Sequence, residues 1–214
     1  MRHLVVLFAK APISGRVKTR LAKQYGDAVA LGLHRAFVLD AAARASSGWP
    51  IELHTDADTD AWPTLTCPRR LQCPGDLGAR LHAALEEALA RSWERVAILG
   101  TDAPDLPAAH IARLLDADAD VCLGPAEDGG FWGIACRRIA AGMFEGVPWS
   151  SPHTMAATVD ACRASELSVA LAQWWADVDE PADLVRLAAS SSLESAGATT
   201  KLLRELHLPD SGRH

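Results

Sequence analysis

Lys10, Arg16, Lys18 and Arg20 place four fixed positive charges within one short turn, Ala9-Lys10-Ala11-Pro12-Ile13-Ser14-Gly15-Arg16-Val17-Lys18-Thr19-Arg20-Leu21. Lysine supplies a compact point charge and arginine a planar fork of donors, a mixture that suits a polyphosphate better than a lone carboxylate. The whole chain carries a formal net charge of -6, so this cationic turn is a local device and an anionic ligand is expected at it. The competing reading is a solvated basic turn that holds nothing. Ala9, Lys10, Gly15, Arg16, Lys18 and Arg20 are the expected phosphate loop of a nucleotide, with Thr101 and Arg80 as further nucleotide contacts. The loop is not a Walker A loop, because Gly15-Arg16-Val17-Lys18-Thr19 lacks the earlier glycine and carries an extra residue before the lysine.

Two acidic segments supply the complementary chemistry. Asp102, in Gly100-Thr101-Asp102-Ala103-Pro104-Asp105, and Asp179, in Asp177-Val178-Asp179-Glu180-Pro181-Ala182-Asp183-Leu184, are hard oxygen donors. Mg²⁺ or Mn²⁺ commonly takes one or two such carboxylates and leaves other positions to phosphates and water. Asp102 is therefore an expected metal or ribose contact, and Asp177 or Asp179 its expected partner across the cleft, with a cap before Pro181 as the other reading of Asp179. Asp177 and Asp179 share one face of an extended segment. Asp105 reads as a helix cap or a second ligand, and Glu180 as the cap of a helix opening at Pro181.

A third cluster points to an acceptor. In Glu127-Asp128-Gly129-Gly130-Phe131-Trp132 the glycines admit close approach of a ligand to the main chain, and Asp128 could orient or deprotonate a hydroxyl. An ordinary acidic hairpin turn fits the same residues. Trp149 and His153, in Trp149-Ser150-Ser151-Pro152-His153-Thr154, make an acceptor-side rim, with a cap or solvent role as the other reading of His153. Asp76 is the expected N-cap of the helix that carries Arg80. No serine sits in a nucleophile-elbow context, no cysteine has a histidine partner in sequence, and the histidines lack the paired spacing of a zinc site.

These residues need a scaffold that delivers them to one edge. Leu4–Phe8, Ile51–Thr55, Val96–Leu99 and Val121–Leu123 read as buried strands, separated by helices over Ala28–Ala45, Leu77–Ala90 and Pro107–Leu115. A helix is also expected from Lys18 onward. Strands alternating with helices predict a single α/β domain with a mixed, mainly parallel sheet covered on both faces. After Gly129-Gly130 come a strand at Phe131–Ala135, a helix near Thr154–Arg163, a short strand at Leu167–Leu171, and helices from Pro181 and Ala198. The stretch from about residue 190 to 214 reads as a polar connection and helical tail. The three informative segments each follow a strand, where ligands of open α/β sheets bind.

With 214 residues, 49% of them apolar, and no run long enough to cross a bilayer, the chain reads as a globular domain without a membrane partner. Its N-terminal apolar run is short and ends at Lys10, so no export signal is expected. Five scattered cysteines without Cys-x-x-Cys spacing predict reduced thiols and a cytoplasmic location. The acidic balance argues against a nucleic-acid surface. Trp174-Trp175 reads as core or as a homodimer surface.

Taken in order, the motifs around Lys10, Gly15-Arg16-Val17-Lys18-Thr19-Arg20-Leu21, Gly75-Asp76-Leu77-Gly78, Gly100-Thr101-Asp102-Ala103-Pro104, Glu127-Asp128-Gly129-Gly130-Phe131-Trp132 and Asp177–Leu184 resemble the bacterial radical-SAM/selenodomain-associated transferases. The resemblance implies a GT-A type fold of the nucleotide-diphospho-sugar transferase superfamily, and a metal-dependent glycosyltransferase using a nucleotide sugar and a small acceptor. It is also similar to small nucleotidyltransferases that consume an NTP and release pyrophosphate, in which the aspartates matching Asp102 and Asp179 hold the metal. The glycosyltransferase Asp-x-Asp is absent at Asp102, while Asp177-Val178-Asp179 satisfies it in the late position typical of nucleotidyltransferases. In the leading reading Lys18 and Asp128 are catalytic, the first at the diphosphate and the second at the acceptor hydroxyl. A nucleotide-binding module without catalysis is the third reading.

Overall fold

The computed structural model of the chain describes residues 2–190, 192–193 and 197–206. Seven strands form one sheet: β1 (His3–Ala9), β2 (Ile51–Thr55), β3 (Arg69–Leu71), β4 (Arg95–Gly100), β5 (Val121–Pro125), β6 (Phe131–Cys136) and β7 (Val169–Leu171). Their spatial order is β3-β2-β1-β4-β6-β5-β7. β1 pairs in parallel with β2 and β4, β2 with β3, and β5 with β7, whereas β6 runs antiparallel to both β4 and β5. The reversal at β6 follows from the tight turn after β5, which leaves no room for a crossover helix.

The helices are α1 (Thr19–Tyr25), α2 (Asp27–Ser46), α3 (Leu77–Ala90), α4 (Ala108–Asp116), α5 (Thr154–Ala164), α6 (Pro181–Ala188) and α7 (Gly197–Glu205). Alternation along β1 divides the core. Val5 and Leu7 face α2 and α4, whereas Leu4 and Val6 face α3 and α5. A third apolar cluster joins Leu21 of α1, Leu33 and Phe37 of α2, Leu184 and Leu187 of α6, and Leu203 of α7. α2 is thus covered on two sides, which explains its alanine-rich sequence. No helix among the described residues is long and apolar enough to cross a membrane.

One element departs from the sequence reading. β3 is a three-residue edge strand of alternately exposed residues, and no apolar period announces it. It is held by Arg70, whose Nε donates to the buried Glu52 of β2 at 3.1 Å and whose Nη1 pairs with Glu87 of α3 at 2.6 Å. The helix expected from Lys18 onward is α1, and Gly26, with a positive φ of 85°, separates it from α2. The expected tail beyond residue 206 lies outside the described residues.

The topology brings the carboxyl ends of β1 and β4, the end of β5 and the start of β6 to one edge of the sheet. The chain after β7 then runs back along that edge. Ala172 N donates to Leu123 O, Trp175 N to Pro125 O, and Val178 N to Asp102 O at 2.8 Å. This return carries Asp177 and Asp179 to the loop after β4.

Candidate active site

An open cleft of about 550 Å³ lies at this edge, lined by Ala9, Lys10, Arg16, Lys18, Arg20, Arg80, Thr101, Asp102, Asp128, Gly130, Trp149, Asp177 and Asp179 among others. The basic loop, the two aspartate segments and the turn around Asp128 thus meet in one cavity. Gly15, Gly129 and His153 stand outside its lining. Gly15 turns the loop with a φ of 74°, and His153 is exposed at the start of α5 without a side-chain cap bond.

The basic loop is fixed by its neighbours. Ala11 N donates to Asp56 Oδ1 at 2.6 Å, Arg16 N to Ile13 O at 3.0 Å, and the ring Nε2 of His34 meets Lys10 O at 2.9 Å. Burial lowers the pKa of His34, so the imidazole is neutral near pH 7 and donates to that carbonyl. Arg16 and Arg20 remain mostly exposed, loosely paired with Asp56 at 3.6 Å and Glu180 at 3.4 Å. Such contacts are weak in solvent and leave both guanidinium groups available to a phosphate.

Lys18 is different. It is a non-glycine residue in the left-handed region, φ 46° and ψ 44°, at the start of α1. Its Nζ lies 2.6 Å from Asp102 Oδ1, 2.9 Å from Asp179 Oδ1 and 2.6 Å from Val178 O. It also sits 5.4 Å from the centre of the Phe37 ring. An ammonium has three donors, and all three are engaged. The sequence reading assigned Lys18 to the diphosphate; in this arrangement it holds the two carboxylates instead. Burial opposes its charge, but Asp102 and Asp179 outweigh burial and raise its pKa. Conversely, burial resists ionisation of Asp102, and the charge and hydrogen bond of Lys18 hold its pKa low.

The pair Asp102 and Asp179 fits a hard divalent ion. That both carboxylates close on one ammonium shows that they converge on a single cation, and both are oxygen donors half-open to the cleft. Among the described residues no three His, Cys, Asp or Glu side chains are grouped to ligate a metal, so substrate and water would complete the shell. Asp177 lines the same cavity. Burial, then the charges of Asp179, Asp128 and Asp102, push its pKa up to about 6.

The turn around Asp128 is held by hydrogen bonds at both of its glycines. Asp128 Oδ1 accepts from Gly130 N at 2.8 Å, and Met155 N donates to Gly129 O at 2.9 Å. At Gly129, with φ 83°, an added Cβ would come within 2.2 Å of Pro152 O, so the turn sits directly against the segment that carries Trp149 and His153. Trp149 in turn packs over Gly78 of α3. Asp76 Oδ1 caps α3 through Ala79 N at 2.8 Å, and Asp183 accepts from Glu180 N at 2.8 Å before α6.

Arg80 is aimed by Gly75 O, 3.0 Å from its Nε, and by Gln72 Oε1, 3.3 Å from its Nη1. Gln72, His34 and Phe8 also line the cleft, and sequence reasoning missed them. Gln72 follows a strand with no period, and His34 is an isolated polar residue on a buried helix. Asp105 neither caps α4 nor reaches the cleft. It is buried and accepts from Trp175 Nε1 at 3.1 Å, Ser190 Oγ at 3.0 Å and Ser192 Oγ at 3.2 Å. Trp175 is thereby half-buried, while Trp174 stays exposed.

The fold is shared with nucleotide-using transferases. A protein of Desulfovibrio desulfuricans G20, provisionally assigned as a nucleotide-diphospho-sugar transferase, superposes with a TM-score of 0.86 at 28% identity over 96% of this chain and 95% of its own. A CMP-2-keto-3-deoxy-manno-octonic acid synthetase complexed with CTP is similar over 87% of this chain and 97% of its own, with a TM-score of 0.57 and 14% identity. The inositol-1-phosphate CTP transferase of T. maritima gives 0.53 and 12% over 95% of this chain and 96% of its own. At these identities the latter two show the fold alone. No curated protein matches the sequence. Residues 33–151, from within α2 to the segment before α5, match the family described as uncharacterized protein conserved in bacteria (DUF2064), and the chain belongs to that family.

Proposed function

We propose that this protein is a metal-dependent transferase that moves a sugar from a nucleotide-activated donor to a small acceptor. The single observation that carries the reading is the shared cleft, in which exposed Arg16 and Arg20 line one side, the Asp102–Asp179 pair opens into it, and Asp128 and Trp149 belong to the acceptor turn and rim. The likeness to the Desulfovibrio protein over nearly the full length supports the same class. Lys10, Arg16 and Arg20 bind the diphosphate and offset the charge that grows on it as it leaves. Asp102 and Asp179 hold Mg²⁺ or Mn²⁺, which when bound supplies further positive charge to the leaving group. Asp128, exposed and held by its own Gly130 N–H, orients the acceptor hydroxyl and takes its proton. Trp149 offers an aromatic face to the acceptor.

A second reading, transfer of a nucleotidyl group from an NTP with release of pyrophosphate, rests on one specific observation. The carboxylate pair is assembled from two separated segments, after β4 and after β7, rather than from one Asp-x-Asp after β4. Incubation with a panel of UDP-, GDP-, CDP- and ADP-sugars and Mn²⁺, beside a panel of NTPs with a pyrophosphate assay, tests both. Release of nucleoside diphosphate from a sugar nucleotide is the expected result. Pyrophosphate release with no turnover of sugar nucleotides reverses the order, and nucleotide binding without either reaction leaves a binding module.

A further inference from the structure

Lys18 is the one cation of the basic loop that does not face solvent. Its side chain is 3% exposed, whereas those of Asp102 and Asp179 are 48% and 42% exposed. The ammonium therefore lies on the protein side of the pair, and the open halves of the carboxylates face the cleft. Each carboxylate gives Lys18 its Oδ1, and the Oδ2 atoms have no hydrogen-bond partner among the described residues. The third donor is spent on Val178 O, and the face of the Phe37 ring adds a favourable wall for a cation. A phosphate-binding lysine needs a free donor, and this one has none.

Resting on the metal reading above, we propose that Lys18 is a positioning residue, the internal counter-ion of the Asp102–Asp179 pair, and that it sets how tightly the pair binds a divalent ion. With Lys18 the two carboxylates carry a net charge of -1 and are held in one orientation. Without it they carry -2. The built-in cation keeps the affinity for the free ion low, so that the ion is retained only when a diphosphate brings further oxygens. Lys18 alone combines a left-handed backbone with a buried side chain, while its neighbours Arg16 and Arg20 are exposed.

The test uses the full-length protein, its Lys18→Gln and Lys18→Met variants, and Lys18→Arg, which keeps the charge. Binding of free Mn²⁺ is measured by paramagnetic relaxation of water, and binding of metal-free pyrophosphate by calorimetry. The neutral variants are expected to bind free Mn²⁺ roughly tenfold more tightly than the parent, because one opposing charge is gone. Lys18→Arg is expected to keep the parental value, and no variant to lose as much as tenfold in affinity for metal-free pyrophosphate, because Lys18 has no free donor to offer it. Unchanged or weaker Mn²⁺ binding in Lys18→Gln and Lys18→Met overturns the inference while sparing the metal reading. A tenfold loss of pyrophosphate affinity in both overturns it in favour of a phosphate ligand. Absence of Mn²⁺ binding by the parent and by every variant, with or without pyrophosphate, overturns the metal reading and this inference with it. Glutamine retains two donors and methionine none, so a folding defect peculiar to one leaves the other to decide.

Discussion

Asp102 and Asp177 share one neighbourhood and respond to it in opposite directions, because Asp102 holds Lys18 and Asp177 does not. Asp177, left with burial and like charges, is raised from 3.8 to about 6. The folded protein therefore holds the Asp177 proton more tightly than the unfolded chain does. That contribution favours folding in acid and is lost as pH rises through about 6. Asp177→Asn removes the repulsion, and its melting temperature at pH 8 is expected to exceed that of the parent by roughly 2–4 °C, with the gain shrinking towards pH 4. Scanning calorimetry without metal at both pH values checks this. Asp179→Asn has the opposite consequence at the site: Mn²⁺ with pyrophosphate should stabilise the parent and fail to stabilise this variant in a thermal melt.

Among the elements, the turn between β5 and β6 has no room for a side chain at Gly129. Gly129→Ala places a methyl group against Pro152 O in a backbone region that disfavours side chains. A loss of about 1–3 kcal/mol is expected in urea unfolding, together with weaker acceptor binding, because Met155 N hangs on Gly129 O. The same scale shows how much of the design is local. β1, β2, β4 and α3 could be read from sequence because their apolar periods are complete and Asp76 caps its own helix. That the basic loop and Asp102 share one edge was legible from charge and from the strand ends they follow, whereas Asp179 was set apart from Asp177 only by the family resemblance. β3 was not, because a long-range pair, Arg70 with Glu52, holds it rather than an apolar face. Asp105 was misread for the same reason. Asp-Leu-Pro looks like a cap, and its partners Trp175, Ser190 and Ser192 arrive from the far end of the chain. Lys18 looked like its basic neighbours, and only the return of the chain after β7 distinguishes it.

Across the whole molecule, the edge of the sheet away from β7 depends on one buried acid. Glu52 is 5% exposed and receives Arg91 through two bonds of 2.5 and 2.9 Å, Arg70 at 3.1 Å and His54 at 3.3 Å. Burial pushes its pKa up, but Arg91 and His54, with the charge of Arg70, more than reverse this, and it falls from 4.5 to about 2. Here the unfolded chain binds the proton more tightly. The stabilisation is complete above about pH 4.5 and is lost as pH falls towards 2. A shift of this size corresponds to about 3 kcal/mol. Urea unfolding of the parent and Glu52→Gln is expected to differ by that amount at pH 7 and to converge near pH 2.

The bond from Lys18 to Val178 joins residues 160 positions apart. A nascent chain leaving the ribosome can pair β1, β2 and β4 and pack α2 and α3 upon them well before Val178 has been synthesised. Until then Lys18 has no carboxylate pair to steady and Asp102 has no companion. The order of synthesis thus sets the order of assembly, and a partly made molecule carries the basic turn without the two carboxylates that enclose its lysine.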